Sequence, residues 1–431
     1  MRAVERRACG PVIMSLAHRI RQGAGWTLVL ALAGCQQSDP VPREAWPALT
    51  LGQAGPTHNL DAACVADYQP GVDYFPDKVD FRHSTQLSVA YGLHYKRLQF
   101  TPSINTGETL NYLFVQCGAP TPAHAPHTTV IQVPVQRLVA GDPALLGALD
   151  ELGMVERLHG VANPQDVTVP AVRARIQAGQ VTEMRGLGHA SIEPIMAAQA
   201  DVYLSFYSAY PDNNLHPRLH EMGVRALVQA DHHETHPLGR AEWLKLLALL
   251  GNREAHAQAL FDAIETEYTH WRQLAAQTSR QPLVLAGHVA GRDSFETFAR
   301  DNQRAHLIRD AGGRFALDAA AGTRSLVYLP FELAYVQGAQ AEVWLGTLGG
   351  QASLRAWRQA SSLHGWFLAA RQEQVYAWDR GYAGAWAAPL RDQGLTRPHV
   401  QLKEAVQVLH PELAVGGSPA PSSFQFLRKL P

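Results

Sequence analysis

The stretch "ADHHETHPLGRAEW" (Ala230 to Trp243) places three histidines and a glutamate within five residues. Imidazole and carboxylate groups are common ligands of zinc and manganese, so a metal site is the first chemistry to consider. A helical zinc-protease site needs His-Glu-x-x-His, because that spacing aims both imidazoles at one ion. Here His236 follows His233 one residue too soon. His232 and His236 have the required spacing, but Pro237 pushes His236 away from helical geometry. The stretch therefore does not fit the zinc-protease pattern.

The position of this stretch indicates a different role. It follows "VRALVQA", a predicted strand, and open α/β sheets bind their ligands at the carboxyl ends of parallel strands. Asp231, His232, His233 and Glu234 are therefore predicted to line a crevice. Two alternatives remain open: a solvated polar loop that happens to carry histidines, and direct ligation of a transition metal by these side chains.

The elements around the stretch predict an α/β fold. From Thr128 onward, short apolar runs alternate with helical patterns, which is typical of parallel sheets. Residues 253–277 carry an apolar stripe at helical spacing and would form a helix about 35 Å long. Similar groups of strands and helices lie on either side of it. The predicted fold class is α/β, with two Rossmann-like lobes joined by one long helix.

An internal match strengthens the case for two similar lobes. Glu193 opens a predicted helix that leads into Asp-Val-Tyr-Leu, and Glu332 opens one that leads into Glu-Val-Trp-Leu. The spacing between the glutamate and the following strand differs by two residues, so the duplication is a weak one.

An N-terminal β-hairpin extension is predicted ahead of the lobes, because residues 87–100 alternate in polarity and a second apolar stretch follows after a turn containing glycine. The predicted organisation is a leader at 1–35, a tether at 36–60, the extension at 61–126, the N-terminal lobe at 127–252, the long helix at 253–277, the C-terminal lobe at 278–415 and a tail at 416–431.

The leader predicts export. Arg19 and Arg21 precede an apolar run from Ala24 to Gly34, which is too short to cross about 30 Å of hydrocarbon as a helix. The following "LAGC" resembles the lipobox of bacterial lipoproteins, which implies lipid attachment at Cys35. A plain signal peptide is the alternative, and Met14 is an alternative start. The predicted location is the periplasm, with a lipid as the membrane anchor.

Composition and cysteine usage agree with export. The chain has 37 basic and 38 acidic side chains, so its net charge recruits no nucleic acid. With Cys9 in the leader and Cys35 as lipid carrier, Cys64 and Cys117 remain as an even pair in an oxidising compartment. We expect a disulfide between them; two free thiols are the alternative, and a zinc site is disfavoured because no CxxC partner is present.

Two blocks carry a resemblance to a known family. "ETHPLGRAEWLKLLALL" and "RPHVQLKEAVQVLHPEL" (Arg397 to Leu413) resemble segments of periplasmic substrate-binding proteins of ABC importers for iron-siderophores, haem and cobalamin. The resemblance covers about Val130 to Leu413. It implies a monomer that binds a metal chelate between its lobes, needs no cofactor of its own, and docks on a permease with ATPase subunits. Glu193 and Glu332 occupy the places of glutamates that pair with permease arginines in that family.

The resemblance also implies where the ligand lies. A chelate is large, partly aromatic and often anionic, so its pocket should offer rings, imidazoles and cations at the strand ends. The candidates are Tyr207, Tyr210, His232, His233, His288, Arg292, Phe295, Arg380, Tyr382 and Trp386. Many relatives carry a Trp-Tyr pair where this chain has "RDSFETFARDN", which leaves the identity of the chelate open. Phe298 is a candidate substitute for part of that contact.

Other functions fit the sequence less well. Catalysis is disfavoured, since we find no G-x-S-x-G, P-loop or dinucleotide motif in a strand-to-helix context. The alternative transport function is capture of a bare zinc, manganese or iron ion by His232, His233, His236 and His288. A surface adhesion lipoprotein without transport is a third hypothesis.

Overall fold

The computed structural model describes residues 55–104, 107–184, 192–317, 321–347, 349–382, 388–413 and 423–431. The first sheet along the chain has four strands. The strands pair in sequence order, antiparallel for the first three and parallel between the last two. They are β1 (Leu87–Tyr91), β2 (Tyr95–Phe100), β3 (Leu110–Gln116) and β4 (Thr129–Val133).

This sheet is the predicted extension, and it is larger than a hairpin. Residues 87–100 alternate in polarity throughout, but the chain reverses at Gly92 to His94 and forms two strands instead of one. The sheet also takes β4 from a run that the sequence assigned to the N-terminal lobe. Cys64 and Cys117 form the expected disulfide, with their Cα atoms 4.7 Å apart, and so tie the segment before β1 to the end of β3.

The N-terminal lobe is a five-stranded parallel sheet covered by helices. Its central strands are short apolar runs with little or no exposed surface, as expected for a parallel sheet covered on both faces. The strand order is β7-β6-β5-β8-β9. The strands are β5 (Leu138–Ala140), β6 (Leu158–Ala162), β7 (Thr182–Met184), β8 (Val202–Phe206) and β9 (Ala226–Gln229). The helices are α1 (Leu146–Glu151), α2 (Pro170–Gln177), α3 (Ile192–Ala197), α4 (His216–Glu221), α5 (Pro237–Ala241) and α6 (Leu244–Gly251).

One long helix, α7 (Glu254–Ala276), connects this lobe to the next, as predicted. Helix α6 is followed by Asn252, which adopts a left-handed conformation with φ 57°. This conformation ends α6 and separates it from α7. Of the predicted stripe, Ile264 and Tyr268 are buried, while Leu260, Trp271 and Leu274 are half-buried. Phe261, which the prediction did not include, is also buried in this face.

The C-terminal lobe repeats the architecture. Its sheet runs β13-β10-β15-β16-β17, parallel except for the last strand, and a separate antiparallel sheet runs β11-β12-β14. The strands are β10 (Leu283–Leu285), β11 (His288–Ala290), β12 (Ser294–Thr297), β13 (Arg314–Phe315), β14 (Val327–Pro330), β15 (Val343–Thr347), β16 (Val375–Ala377) and β17 (Arg428–Lys429). The helices are α8 (Gln303–Asp310), α9 (Phe331–Gly338), α10 (Leu354–Ala360), α11 (Leu368–Arg371), α12 (Pro389–Gln393) and α13 (Pro398–Leu409).

The fold class is therefore the predicted one: α/β, with two Rossmann-like lobes joined by one long helix and preceded by a β extension. The described residues at the edges of the predicted tether and tail contact the body of the protein. Asn59 is buried and donates to Glu254 over 2.8 Å. Near the C-terminus, Phe426 and Leu427 are buried, and their amides bond to Glu404. The predicted domain boundaries stay predictions.

Candidate ligand site between the lobes

The strand orders place a switch point in each lobe. In the first lobe, β5 lies between β6 and β8; in the second, β10 lies between β13 and β15. Open α/β sheets bind ligands in the crevice at such points, outside the carboxyl ends of the strands. The loops that follow β8, β9, β10 and β16 are therefore the places to test the predicted ligand residues.

Most residues of the loop after β9 are buried and contact other parts of the protein. Asp231, His233 and Glu234 are buried, and Asp231 accepts a hydrogen bond from Arg240 Nε over 3.0 Å. Glu234 accepts hydrogen bonds from the Trp243 indole over 2.8 Å and from the Ser84 hydroxyl of the extension. The expectation that all four residues line a crevice is wrong for these three, because their polar atoms serve tertiary packing or, for His233, are enclosed.

His232 is the accessible imidazole of this loop. Its ring is half-buried and stacks on Phe206, with ring centroids 4.6 Å apart and an interplanar angle of 7°. The His233 ring lies behind it, 4.0 Å away. Burial, more than the nearby Arg240 and Arg304, lowers the pKa of His232 to about 4. His232 therefore presents a neutral imidazole at physiological pH, the form that ligates metals.

Two arginines that no sequence pattern indicated flank the histidines. Arg304, at the start of α8, and Arg324, in the loop before β14, are both exposed. Among the described residues neither guanidinium forms an ion pair within 4.0 Å, although the Glu296 carboxylate is near enough to Arg304 to act against the lowering of its pKa. Arg304 lies close enough to His232, and Arg324 to His233, to lower the pKa of each imidazole, although burial is the larger cause in both cases.

Arg304 is exposed to solvent at the start of α8. The protein around it, with a smaller contribution from Arg240, lowers the pKa of Arg304 to about 10. Phe298 lies under the guanidinium, 5.9 Å from ring centroid to Cζ, so this candidate residue supports the arginine from below.

The antiparallel sheet of the C-terminal lobe places three polar side chains on neighbouring strands. His288 pairs with Glu296 across β11 and β12, and Glu296 pairs with Tyr328 across β12 and β14. The Tyr328 hydroxyl donates to Glu296 over 2.9 Å, which raises the pKa of Tyr328. Tyr210 of the N-terminal lobe is near enough to contribute to the same shift. Tyr210 and Tyr328 are 62% and 56% exposed, so they rim the cleft from opposite lobes.

The other predicted ligand residues occupy varied places. Tyr207 has no exposed surface, and its hydroxyl donates to Glu108 over 2.8 Å. Phe295 is enclosed by Trp344 and Phe367 in the core. In this arrangement neither ring offers a surface to a ligand, because each is covered by protein.

Of the remaining candidates, Arg292 is exposed in the turn between β11 and β12, Arg380 is half-buried, and Tyr382 is 41% exposed beside Gly350. Trp386 lies outside the described residues, as does Cys35. Ligand contact by Arg292, Arg380, Tyr382 and Trp386 remains a prediction.

The histidines proposed for a bare metal ion do not form one site. His236 caps α5 by accepting from the Leu238 amide, and its Nε2 lies 3.2 Å from Asp310. His288 Nε2 lies 3.8 Å from Glu296. In the part of the chain that the structure describes, no three His, Cys, Asp or Glu side chains are grouped so as to hold a metal ion. His232, His233, His236 and His288 thus serve different elements.

A cavity of about 280 Å³ lies elsewhere, at the carboxyl ends of α7 and α8, lined in part by Arg272, Arg309 and Asp310. It is smaller than typical ligand pockets of about 300 to 1,000 Å³, and none of the predicted ligand residues lines it. We do not assign the ligand to it.

The two glutamates of the internal match occupy equivalent places. Glu193 and Glu332 are exposed in the first turns of α3 and α9. Each helix leads into the strand that pairs with the first strand of its lobe, β8 beside β5 and β15 beside β10. The weak sequence duplication therefore corresponds to a repeated structural unit.

Comparison with solved structures identifies the fold. A periplasmic haem-binding protein from Pseudomonas aeruginosa is 16% identical, with a TM-score of 0.51, and the match covers 69% of this chain and 98% of that one. A periplasmic binding protein from Veillonella parvula is 13% identical, with a TM-score of 0.51, covering 77% and 98% of the two chains. The chain has the fold of these periplasmic binding proteins, in agreement with the resemblance drawn from its sequence.

Comparison of the amino-acid sequence with known families and proteins does not identify a family. No family model matches the chain. An uncharacterised lipoprotein of Methanocaldococcus jannaschii is 22% identical over 142 residues, 32% of this chain and 34% of the relative, so the chain spans about a third of that protein's length. None of the helices in the described ranges has the length and apolar character needed to cross a bilayer.

Proposed function

We propose that this protein is the substrate-binding component of an ABC importer, attached to the membrane outside the cytoplasm by a lipid on Cys35. It captures a metal chelate (a ferric siderophore, haem or cobalamin) between its lobes and delivers it to a permease coupled to ATPase subunits. The fold shared with periplasmic binding proteins, one of them haem-binding, supports the coarse assignment.

The observation that carries the proposal is the pair of exposed arginines beside His232. Arg304 and Arg324 offer guanidinium groups without an ion pair to a described carboxylate, on a surface where the protein around Arg304 lowers its pKa. Guanidinium forks bind carboxylates in bidentate geometry, and such bonds are stronger where water is partly excluded. An anionic chelate satisfies both arginines.

His232 and the exposed tyrosines supply the rest of the site. A neutral imidazole is suited to an open coordination position of a chelated metal. Phe206 holds the His232 ring by stacking, and Tyr210 and Tyr328 present flat faces at the rim. This arrangement favours a chelate over a bare ion, because several rings and cations surround His232 while the described His, Cys, Asp and Glu side chains form no group of three around an ion.

The test is a binding titration of the soluble form that lacks residues 1–35. Hemin, a ferric triscatecholate, cyanocobalamin and Zn²⁺ are titrated in parallel, followed by absorbance and tryptophan fluorescence. We expect micromolar or tighter binding of a chelate, and a loss of at least about tenfold in R304Q/R324Q, since a hydrogen bond to a charged group contributes about 1.5 to 3 kcal/mol.

The matched control is R300Q, because Arg300 is exposed just before α8 and lies 3.8 Å from Asp301. Its affinity should stay within twofold of the unaltered protein. Binding of Zn²⁺ alone, or equal loss in R300Q and R304Q/R324Q, would refute the chelate proposal.

A further inference from the structure

The exposed face of α9 carries large apolar side chains. Val336 is 79% exposed, and Leu333 is exposed three positions before it, on the same side of the helix. Trp366, in the turn before α11, is 50% exposed and packs against Phe331 and Tyr335, with ring centroids 5.8 and 5.7 Å away. We call Leu333, Tyr335, Val336 and Trp366 the α9 patch. Neighbouring exposed apolar groups of this kind are typical of surfaces that bind another molecule.

Glu332 lies within the α9 patch. It precedes Tyr335 and Val336 by three and four positions, the spacings at which side chains of a helix are neighbours. Its side chain is exposed, and among the described residues its carboxylate forms no ion pair within 4.0 Å. Glu332 is also the only charged residue of α9, a helix that the structure describes throughout. The patch therefore combines a single negative charge with apolar groups on either side of it.

This combination fits a protein partner that brings a cation within an apolar surface of its own. Contact with such a partner removes apolar area from water. Excluding water also strengthens a guanidinium–carboxylate bond at Glu332. A phospholipid surface fits less well, because its headgroups are neutral or negative and leave a buried carboxylate unpaired. A second copy of this chain would bring the same helix, whose single charge is again negative.

The corresponding helix of the N-terminal lobe is less apolar. In α3, Glu193 is followed at the same spacings by Met196 and Ala197, both exposed. Ala197 thus stands where α9 has Val336, and Pro194 stands where α9 has Leu333. Smaller side chains remove less apolar area from water on contact, so the surface of α9 offers the stronger contact.

We propose that the α9 patch is the principal contact of this protein with the permease, and that its apolar side chains exclude water from a permease arginine paired with Glu332. This inference rests on the proposed function. It has two consequences that a docking role of the two glutamates does not by itself require. The contact at Glu332 is stronger than the contact at Glu193, and its strength depends on Leu333 and Val336.

The first experiment measures uptake in cells whose only copy of this protein is the full-length variant. Radiolabelled hemin, a ferric triscatecholate and cyanocobalamin are the probes. L333S/V336S should lower uptake of the bound chelate at least about tenfold, because central apolar contacts contribute much of the energy of an interface. M222S is the matched control, since Met222 is also exposed but lies outside α3 and α9, and it should transport normally. The purified soluble forms of both variants should bind the chelate with unchanged affinity.

The second experiment measures whether Glu332 and its apolar neighbours act together. E332Q should lower uptake at least about tenfold in the otherwise unaltered chain, and E193Q less than about threefold. Added to L333S/V336S, E332Q should cause less than about threefold further loss, because an ion pair open to water contributes little.

Several outcomes overturn this inference alone. They are normal uptake by L333S/V336S, an equal loss in M222S, an equal loss in E193Q and E332Q, and losses of E332Q and L333S/V336S that multiply. The same holds if L333S/V336S abolishes a dimer seen by sedimentation, or abolishes binding to vesicles of phosphatidylcholine and phosphatidylglycerol, since the patch would then serve a second copy or the bilayer. If the unaltered protein binds no chelate or supports no uptake, the proposed function fails, and this inference with it.

Discussion

The histidines of the "DHHETH" stretch have three different environments despite their proximity in sequence. His232 is accessible and stacked on Phe206, His233 is 3% exposed with both ring nitrogens unpartnered, and His236 caps α5. Protonation state follows environment, so their chemistry differs too. Burial lowers the pKa of His233 to about 2 and that of His232 to about 4.

Because His233 is buried, we expect the free energy of unfolding to fall in acid. An unfolded histidine takes up a proton below about pH 6.5, whereas folded His233 stays neutral until about pH 2. The unfolded state therefore gains protons first, and the free energy of unfolding falls by about 1.4 kcal/mol per pH unit as the pH drops below 6.5. We expect H233N to show a shallower loss between pH 6.5 and 4, measured by urea unfolding. The exposed His124 supplies the control: H124N should keep the original slope.

We expect His232 to bind the metal of a chelate equally well across the neutral pH range. Because its pKa lies at about 4, the imidazole is neutral from pH 5 to 8. The absorbance spectrum of the hemin complex should stay constant across that range, and H232A should lose the imidazole-bound spectrum. H159A, at the half-buried His159 of β6, is the control. A spectral transition near pH 6.5 would contradict a role for His232.

Among the elements, the extension sheet and α7 are joined by an unusual polar contact. Lys96 Nζ donates to the Leu249 carbonyl over 2.9 Å and to Asn252 over 2.7 Å, and it pairs with Glu254. Burial lowers the pKa of Lys96 and raises that of Glu254, and their mutual attraction opposes both shifts. Such a pair is sensitive to loss of one partner, since the other is left charged and buried.

We therefore expect K96M to lower the free energy of unfolding by about 3 to 5 kcal/mol, as is typical when one partner of a buried pair is removed. Urea or thermal unfolding provides the measurement. Lys78 pairs with Asp73 at 2.8 Å on the surface of the same extension, so K78M should cost less than about 1 kcal/mol. Comparable losses in the two variants would show that the buried pair does not fix the extension.

At the scale of the whole molecule, the repeated units α3–β8 and α9–β15 present one exposed glutamate per lobe. One carboxylate on each of two equivalent helices could direct how arginines of a partner approach, because guanidinium–carboxylate bonds are directional. We therefore keep Glu193 and Glu332 as the proposed docking contacts.

The docking proposal predicts a separation of transport from binding. In cells, E193A/E332A should reduce chelate uptake at least about tenfold, because two charge-assisted contacts with the permease are lost. The purified variant should bind its chelate with unchanged affinity. E183A, at an exposed glutamate of β7, controls for loss of surface charge and should transport normally. Normal uptake by the double variant would count against these residues as docking contacts.

The sequence alone determined the fold class, α7, the disulfide and the repeated glutamates, because each depends on local periodicity, residue type or pairing by elimination. It also located the strand ends at which ligand residues were sought. It did not show which of those residues face the cleft, since that depends on what lies above them.

Only the tertiary structure decided the composition of the site. Tyr207 is covered by Glu108, a residue about a hundred positions earlier, and Arg304 and Arg324 enter from a helix start and a loop that carry no distinctive pattern. Exposure and enclosure are properties of several segments packed together. A periodic pattern within one segment reports the face that it buries, but it contains no information about which distant loop covers its end.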